Sequence, residues 1–381
     1  MADFDTVPDR ADTGSLKWWK YAGTTIRPMW VADMDFPSPA CILAALRQRI
    51  DHGVFGYTVV PQGLPATVVA WLWRRYRWRI EPGWLVWIPG LVAGLNLACR
   101  ALLSPGEEAL ALTPVYPPFL TAAEHNGGRT VRVELADRAA GWRIDFAALE
   151  RAITAKSRLL LLCHPHNPVG RVWTGEELAQ LLDLCRRHDL FVCSDEIHCD
   201  LLLEPAAVHL PFAGLDEDAG ARTITLMAPS KTFNIPGLGC SFAVIADPAL
   251  RRRFRAAMAG LIPEVNLFGF TAAEAAYRDG GPWLEELIAY LRGNRDLVEG
   301  RVGDMPGVRM HHVEATYLAW LDVRGLGLPH PAPFFEVEAG VGLSDGADFG
   351  APGYLRLNFA CPRRDLDAAL SRMEAAVRRR A

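Results

Sequence analysis

What this chain lacks excludes several classes of protein. No stretch of ~18 uninterrupted apolar residues occurs, so no helix is expected to span a membrane. The opening MADFDTVPDR is acidic and polar, the opposite of a signal peptide. An excess of either charge is missing: 40 Lys and Arg against 44 Asp and Glu leave −4, so composition favours neither nucleic acid nor an anionic membrane as partner. The short basic runs Arg251–Arg253 with Arg255, and Arg378–Arg380, read as solvated helix faces. The eight cysteines (41, 99, 163, 185, 193, 199, 240 and 361) form no CxxC pair and no regular framework, which implies reduced, buried thiols and a cytoplasmic protein. CSDEIHC (193–199) gathers Cys193, Asp195, Glu196, His198 and Cys199 but matches no zinc spacing. Alternation along a strand turns its neighbours to opposite faces, so no metal is expected.

What is present is a chain of 381 residues, half of them apolar, too long for one ordinary core. Strands and helices alternate. SPACILAALRQRID (38–51) starts at Ser/Pro and has helical spacing. LVWIPG (85–90) reads as a strand and turn, followed by the apolar helix 91–103. Further strands fall at 108–119, 130–135, 157–168, 190–196 and 223–231. TGEELAQLLDLCRRHD (174–189) carries a Thr cap with Glu at the capping-box position. This alternation predicts an α/β fold with a mostly parallel sheet covered on both faces. After about residue 280 the pattern changes to a long helix (282–300), short strands at 315–323 and 354–360, and a last helix. A smaller α+β domain is expected there, with no disordered linker and no internal repeat. The expected boundaries are an N-terminal segment 1–45 lining the site, a large domain 46–280 and a small domain 281–381.

Three strand ends deliver polar groups to one rim: Asn167 after LLLLC, Asp195 after LFVC and Lys231 after TITLM. Ligands of open α/β sheets gather outside such ends. Lys231 is either a satisfied structural charge or an amine whose burial suits it to form an imine. Amine, carboxylate and amide together suit a pyridine aldehyde cofactor: the amine forms the imine, the carboxylate keeps the ring nitrogen protonated and the amide meets the phenolic oxygen. IPGLVAGLNL (88–97) supplies a strand–turn–helix start for a phosphate.

HNPVGRVWT (166–174), SDEIHCDL (194–201), APSKTFNIPGL (228–238) and RLNFACPR (356–363) resemble fold type I pyridoxal-phosphate enzymes. With MWVADMDFPSP (29–39) and HGVFGYT (52–58), they look like the MalY/PatB-type cystathionine β-lyases, a branch of the class I/II aminotransferase superfamily. The resemblance covers essentially the whole chain. It implies pyridoxal 5'-phosphate as cofactor, Lys231 as the Schiff-base lysine and proton carrier, and Asp195 as the pyridinium partner. Asn167 then lies near the phenolic oxygen with His198 beside it, and Tyr116 stacks on the ring. Ser230 and the amides of Leu91 and Val92 become candidates for the phosphate. Arg356, with the backbone near Ala32, would clamp the substrate α-carboxylate, and Tyr57 would reach the site of a neighbouring subunit, implying a homodimer. The implied reaction is β-elimination of a thiol from an S-substituted cysteine. Transamination, a decarboxylating variant and a non-catalytic cofactor-binding regulator use the same scaffold.

The chain departs from the pattern in three places. Ala228 and Gly239 stand where aminotransferases carry a hydroxyl and an arginine, so two phosphate contacts are missing. The opening DRADTGSLKW (9–18) is a scrambled version of the branch's segment, with Trp18-Trp19 where the branch has Trp-Asp. With Trp30, these tryptophans suggest an open, apolar mouth suited to a bulky Cβ substituent.

Overall fold

In the computed structural model, which describes residues 2–380, the apolar strand runs assemble into one seven-stranded sheet. Residues 1 and 381, at the ends of the expected first and last segments, lie outside the described residues. The strands are β1 (Leu85–Ile88), β2 (Glu108–Thr113), β3 (Arg129–Glu134), β4 (Ser157–Cys163), β5 (Phe191–Asp195), β6 (Thr223–Met227) and β7 (Ser241–Val244). They lie in the order β1-β7-β6-β5-β4-β2-β3. Strands β2 to β6 pair in parallel, and β7 runs against both β6 and β1. The sheet is mostly parallel, as expected, and β7 is its antiparallel member. SFAV is too short and too close to the Lys231 loop to announce a strand, and only pairing on both sides makes it one.

Helices surround this sheet and a smaller one, among them α1 (Ala40–Asp51), α2 (Gly63–Tyr76), α3 (Leu91–Leu102), α4 (Gly175–Arg187), α5 (Gly281–Gly303) and α6 (Arg363–Arg380). The apolar α3 buries Leu95, Ala98 and Cys99 against the larger sheet. At α4 the predicted capping box forms: the Thr174 side chain accepts from the Glu177 amide and the Glu177 side chain accepts from the Thr174 amide. A smaller antiparallel sheet, β8 (Arg309–Met310), β9 (Leu318–Asp322), β10 (Ser344–Asp345) and β11 (Tyr354–Asn358), is ordered β8-β9-β11-β10. The strand expected from 315 begins only at Leu318. Before it, Thr316 sits at φ 76°, a left-handed conformation that a β-branched residue rarely takes.

Between the two sheets runs the irregular stretch 29–36. Lys17, 1% exposed, pairs with Asp35 at 2.9 Å, and Arg10 bridges Asp35 (2.7 Å) and Asp33 (2.6 Å). Burial raises the Asp35 carboxyl, but Lys17 and then Arg10 outweigh it and hold it below its ordinary value. Breaking such a pair strands a buried charge, so Asp35→Asn should lower stability by about 3–5 kcal/mol in chemical denaturation. Asp183→Asn, which removes an exposed pair with Arg186, should change it by about 0.5 kcal/mol or less. The Asp35 contribution is present above the unfolded value of about pH 4 and fades as pH falls through the lower folded value. Equal shifts for the two variants would contradict the assignment.

Candidate active site

Parallel strands end on one side of a sheet, so the polar residues that follow them meet at one rim. Here they line a cavity of about 250 Å³. Asn167, Asp195, His198, Ser230 and Lys231 arrive from the loops after β4, β5 and β6. Leu91 and Val92 open α3, Tyr116 follows β2, Arg356 comes from β11 and Ala32 from the irregular stretch. Ten of the eleven residues singled out in the sequence thus share one cavity. Tyr57 does not: it stands fully exposed on the loop 53–60, outside its own chain's cavity.

Lys231 Nζ donates to the Ala32 carbonyl at 2.5 Å. Burial and then Arg356 lower its pKa to about 8, against the opposing pull of Asp33 and Asp195. Asp195 accepts the Ile197 amide on Oδ1 at 3.1 Å. Burial raises its carboxyl to about 7, against that hydrogen bond and the nearby Lys231. Arg356 donates to Asn167 Oδ1 (3.1 Å), to the Trp30 carbonyl (3.0 Å) and to Ser344 Oγ (3.4 Å). No carboxylate pairs with it among the described residues, its Nε has no partner, and burial depresses it to about 10. His198 is buried with Nδ1 unpartnered and is pushed down to about 3 by burial, Lys231 and Arg356, so it is neutral. Burial raises the Tyr116 phenol.

These groups fit a phosphorylated pyridine aldehyde: an amine for the carbonyl, a buried acid for the ring nitrogen, and unpartnered donors at both ends. The cluster 193–199 is split three ways. Asp195 lines the cavity, Glu196 turns to Ser194 Oγ (2.8 Å) and His209 Nε2 (2.7 Å), and Cys199 lies against the Tyr76 hydroxyl (3.1 Å). Two contributors, Ser344 and Tyr317, were missed in the sequence, and Trp30 contributes through its carbonyl rather than its ring. Ser344 and Trp30 support Arg356, and Tyr317 donates to the Ala32 carbonyl at 2.9 Å. Their only signal is a place inside motifs already singled out or on the later strands. Trp18, Trp19 and Trp30 do not form the expected mouth. Trp18 Nε1 bonds Asp35 at 3.2 Å, Trp19 is exposed, and Trp30 turns its indole to the Lys17 carbonyl at 3.1 Å.

Sheet order, rim and cavity are those of the fold type I class of pyridoxal-phosphate enzymes. The chain belongs to the class I and II aminotransferase family, whose profile matches residues 31–373. Among characterised relatives, it is 39% identical to cystathionine beta-lyase PatB of Bacillus subtilis, over 98% of this chain and all of that one. Among solved structures, OvoB superposes with a TM-score of 0.96 at 46% identity, over 98% of this chain and 99% of that chain. Cystalysin from Treponema denticola, which contains a pyridoxal 5'-phosphate cofactor, superposes at 0.95 with 34% identity, over 100% and 99%.

Only the neutral amine attacks a carbonyl, and that form of Lys231 grows as pH rises through about 8. Covalent capture of pyridoxal phosphate by the cofactor-free chain, trapped with borohydride and located by mass spectrometry, should therefore rise and level off near that pH. A rate still climbing at about pH 10, as for an exposed lysine, would contradict the burial effect.

Proposed function

We propose that this chain is a pyridoxal-phosphate-dependent C–S β-lyase that converts an S-substituted L-cysteine and water to a thiol, pyruvate and ammonia. The observation that carries this is the convergence of Lys231, Asp195 and an anion-free Arg356 on one cavity. Full-length similarity to a cystathionine β-lyase supports the reaction class.

When bound, the cofactor supplies an electron sink for the electrons of a broken Cα–H bond. The chain's residues do the rest. Asp195 Oδ1 is occupied by the Ile197 amide, which leaves Oδ2 for the protonated ring nitrogen. Burial that raises this carboxyl also makes a cationic N–H a strongly favoured partner. Asn167 Oδ1 is committed to Arg356, so its Nδ2 is the atom free for the phenolic oxygen, with neutral His198 alongside. Arg356 receives the α-carboxylate on Nε and its remaining Nη protons, and the substrate thereby provides the missing counter-charge. Lys231, released as a neutral amine with the Ala32 carbonyl in reach, takes the Cα proton; the Cβ–S bond then breaks with its electron pair leaving on sulfur. Among the described residues, Lys231 and Arg356 are the only cationic side chains lining the cavity, so a distal carboxylate finds no cationic partner among them.

We further assign the phosphate to the Leu91 and Val92 amides and Ser230, ring stacking to Tyr116, and Tyr57 to the site of a second copy. Supporting the shared site, the loop bearing Tyr57 also exposes Val54, Phe55 and Val59. We also assign residues 46–280 as the cofactor-binding domain, the segment up to residue 45 as joining the small domain and lining the site, and the chain from residue 281 on as that small domain. No helix among the described residues is long and apolar enough to cross a membrane. All eight cysteines are free, seven of them buried, which suits a reducing cytoplasm.

Cystathionine or an aryl-cysteine should yield thiol and pyruvate in equal amounts. Oxo-acid-dependent amino transfer without thiol release would instead make the chain an aminotransferase. Arg356→Ala should lower kcat/KM by about 100-fold, mostly through KM, with Arg356→Lys between it and the parent. For the shared site, mixing Tyr57→Ala with Lys231→Ala chains should restore activity above the sum of the two alone. No gain in chains that do exchange would place Tyr57 outside the site.

A further inference from the structure

Position 239, where related enzymes place a phosphate-binding arginine, is Gly239 at φ 58°. A Cβ built there would lie 3.4 Å from the Pro89 carbonyl oxygen, an ordinary contact, so the conformation rather than the space favours glycine. The backbone at Gly239 lies beside the turn that enters α3. That approach carries the next residues to the same place. Because β7 runs against its neighbours, its first residue lies at the rim where the parallel strands end. Its register sets Ser241 opposite Ile88, two residues before Gly90.

At that spot α3, 12 residues long, begins without a cap. No side chain bonds its first amides, no acidic residue lies in its first turn, and Leu91 and Val92 line the cavity. Ser241 lines the same cavity, is 3% exposed, and its hydroxyl has no hydrogen-bond partner among the described residues. The hydroxyl opens onto the cavity, and an anion at this helix start would give it an acceptor. The cavity's two cations, Lys231 and Arg356, are committed to the aldehyde and to the substrate carboxylate.

We propose that Ser241 is a phosphate-binding residue. Its hydroxyl donates to the 5'-phosphate beside the first amides of α3 and Ser230, in a cup to which this chain contributes only neutral donors. The inference rests on the assignment of this cavity to pyridoxal 5'-phosphate, and deepens it by naming what replaces the missing arginine.

The test is equilibrium binding, followed by visible absorbance, of pyridoxal 5'-phosphate and of unphosphorylated pyridoxal. Ser241→Ala should weaken pyridoxal 5'-phosphate by about tenfold, equivalent to about 1.4 kcal/mol, and leave pyridoxal within about twofold. Ser241→Cys, similar in size but a weak donor, should behave like alanine, and Ser241→Thr like the parent. If alanine at 241 prevents folding, the cysteine and threonine variants decide. An unchanged affinity for the phosphorylated aldehyde, or an equal loss for both aldehydes, overturns the proposal. A parent chain that binds neither aldehyde would instead overturn the cofactor assignment.

Discussion

The site depends on one irregular stretch of backbone whose carbonyls are held by side chains from elsewhere. Between Met29 and Phe36 the chain has no ladder partner for most of its length, so its oxygens need other donors. The Trp30 carbonyl accepts from Arg356 and Ser344, and the Ala32 carbonyl from Lys231 and Tyr317. Asn358 Nδ2 bridges the carbonyls of Val31 (2.6 Å) and Asp33 (2.7 Å), and Asn234 Nδ2 those of Met34 (3.0 Å) and Phe36 (2.8 Å). The donors come from both sheets' strands and loops. The stretch therefore fixes where the amine and the guanidinium stand relative to each other.

Charge makes that arrangement reactive. Desolvation lowers the proton affinity of both Lys231 and Arg356, Arg356 lowers that of Lys231 further, and the Asp195 carboxyl beside them is itself partly neutralised by burial. A cavity with surplus positive charge and unpartnered donors favours anions. The counter-example lies at the same irregular stretch: Lys17 and Asp35 are also buried, but they are paired, and they hold the N-terminal segment down.

Much of this was legible in the sequence. Apolar runs, a capping box and glycine turns located the main strands and helices. The residues after strands β4, β5 and β6 supplied the amide, the acid and the amine. A further signal was available in lysine usage. The chain has four, and Lys17 and Lys20 pair with Asp35 and Glu336 while Lys156 is exposed, which leaves Lys231 to the cavity. Tryptophans at 18, 19 and 30 misled, because closeness to a motif in sequence says nothing about which way an indole turns. Trp30 reaches the site through its carbonyl while its ring points to Lys17.

The sequence by itself determined the local elements, the rim at which the strands end and the chemical types gathered there, because periodicity and turn chemistry report on each segment's own backbone and buried face. The tertiary structure alone decided the pairing of Arg356 with Asn167, the capture of the Ala32 and Trp30 carbonyls, and the arrival of Ser241 at the rim. These meetings join residues as far apart as 326 positions in the chain. An irregular carbonyl bonds whichever donor the packing of two sheets brings to it, and a four-residue strand takes its direction from the neighbours between which it lies. No pattern within either segment encodes that choice.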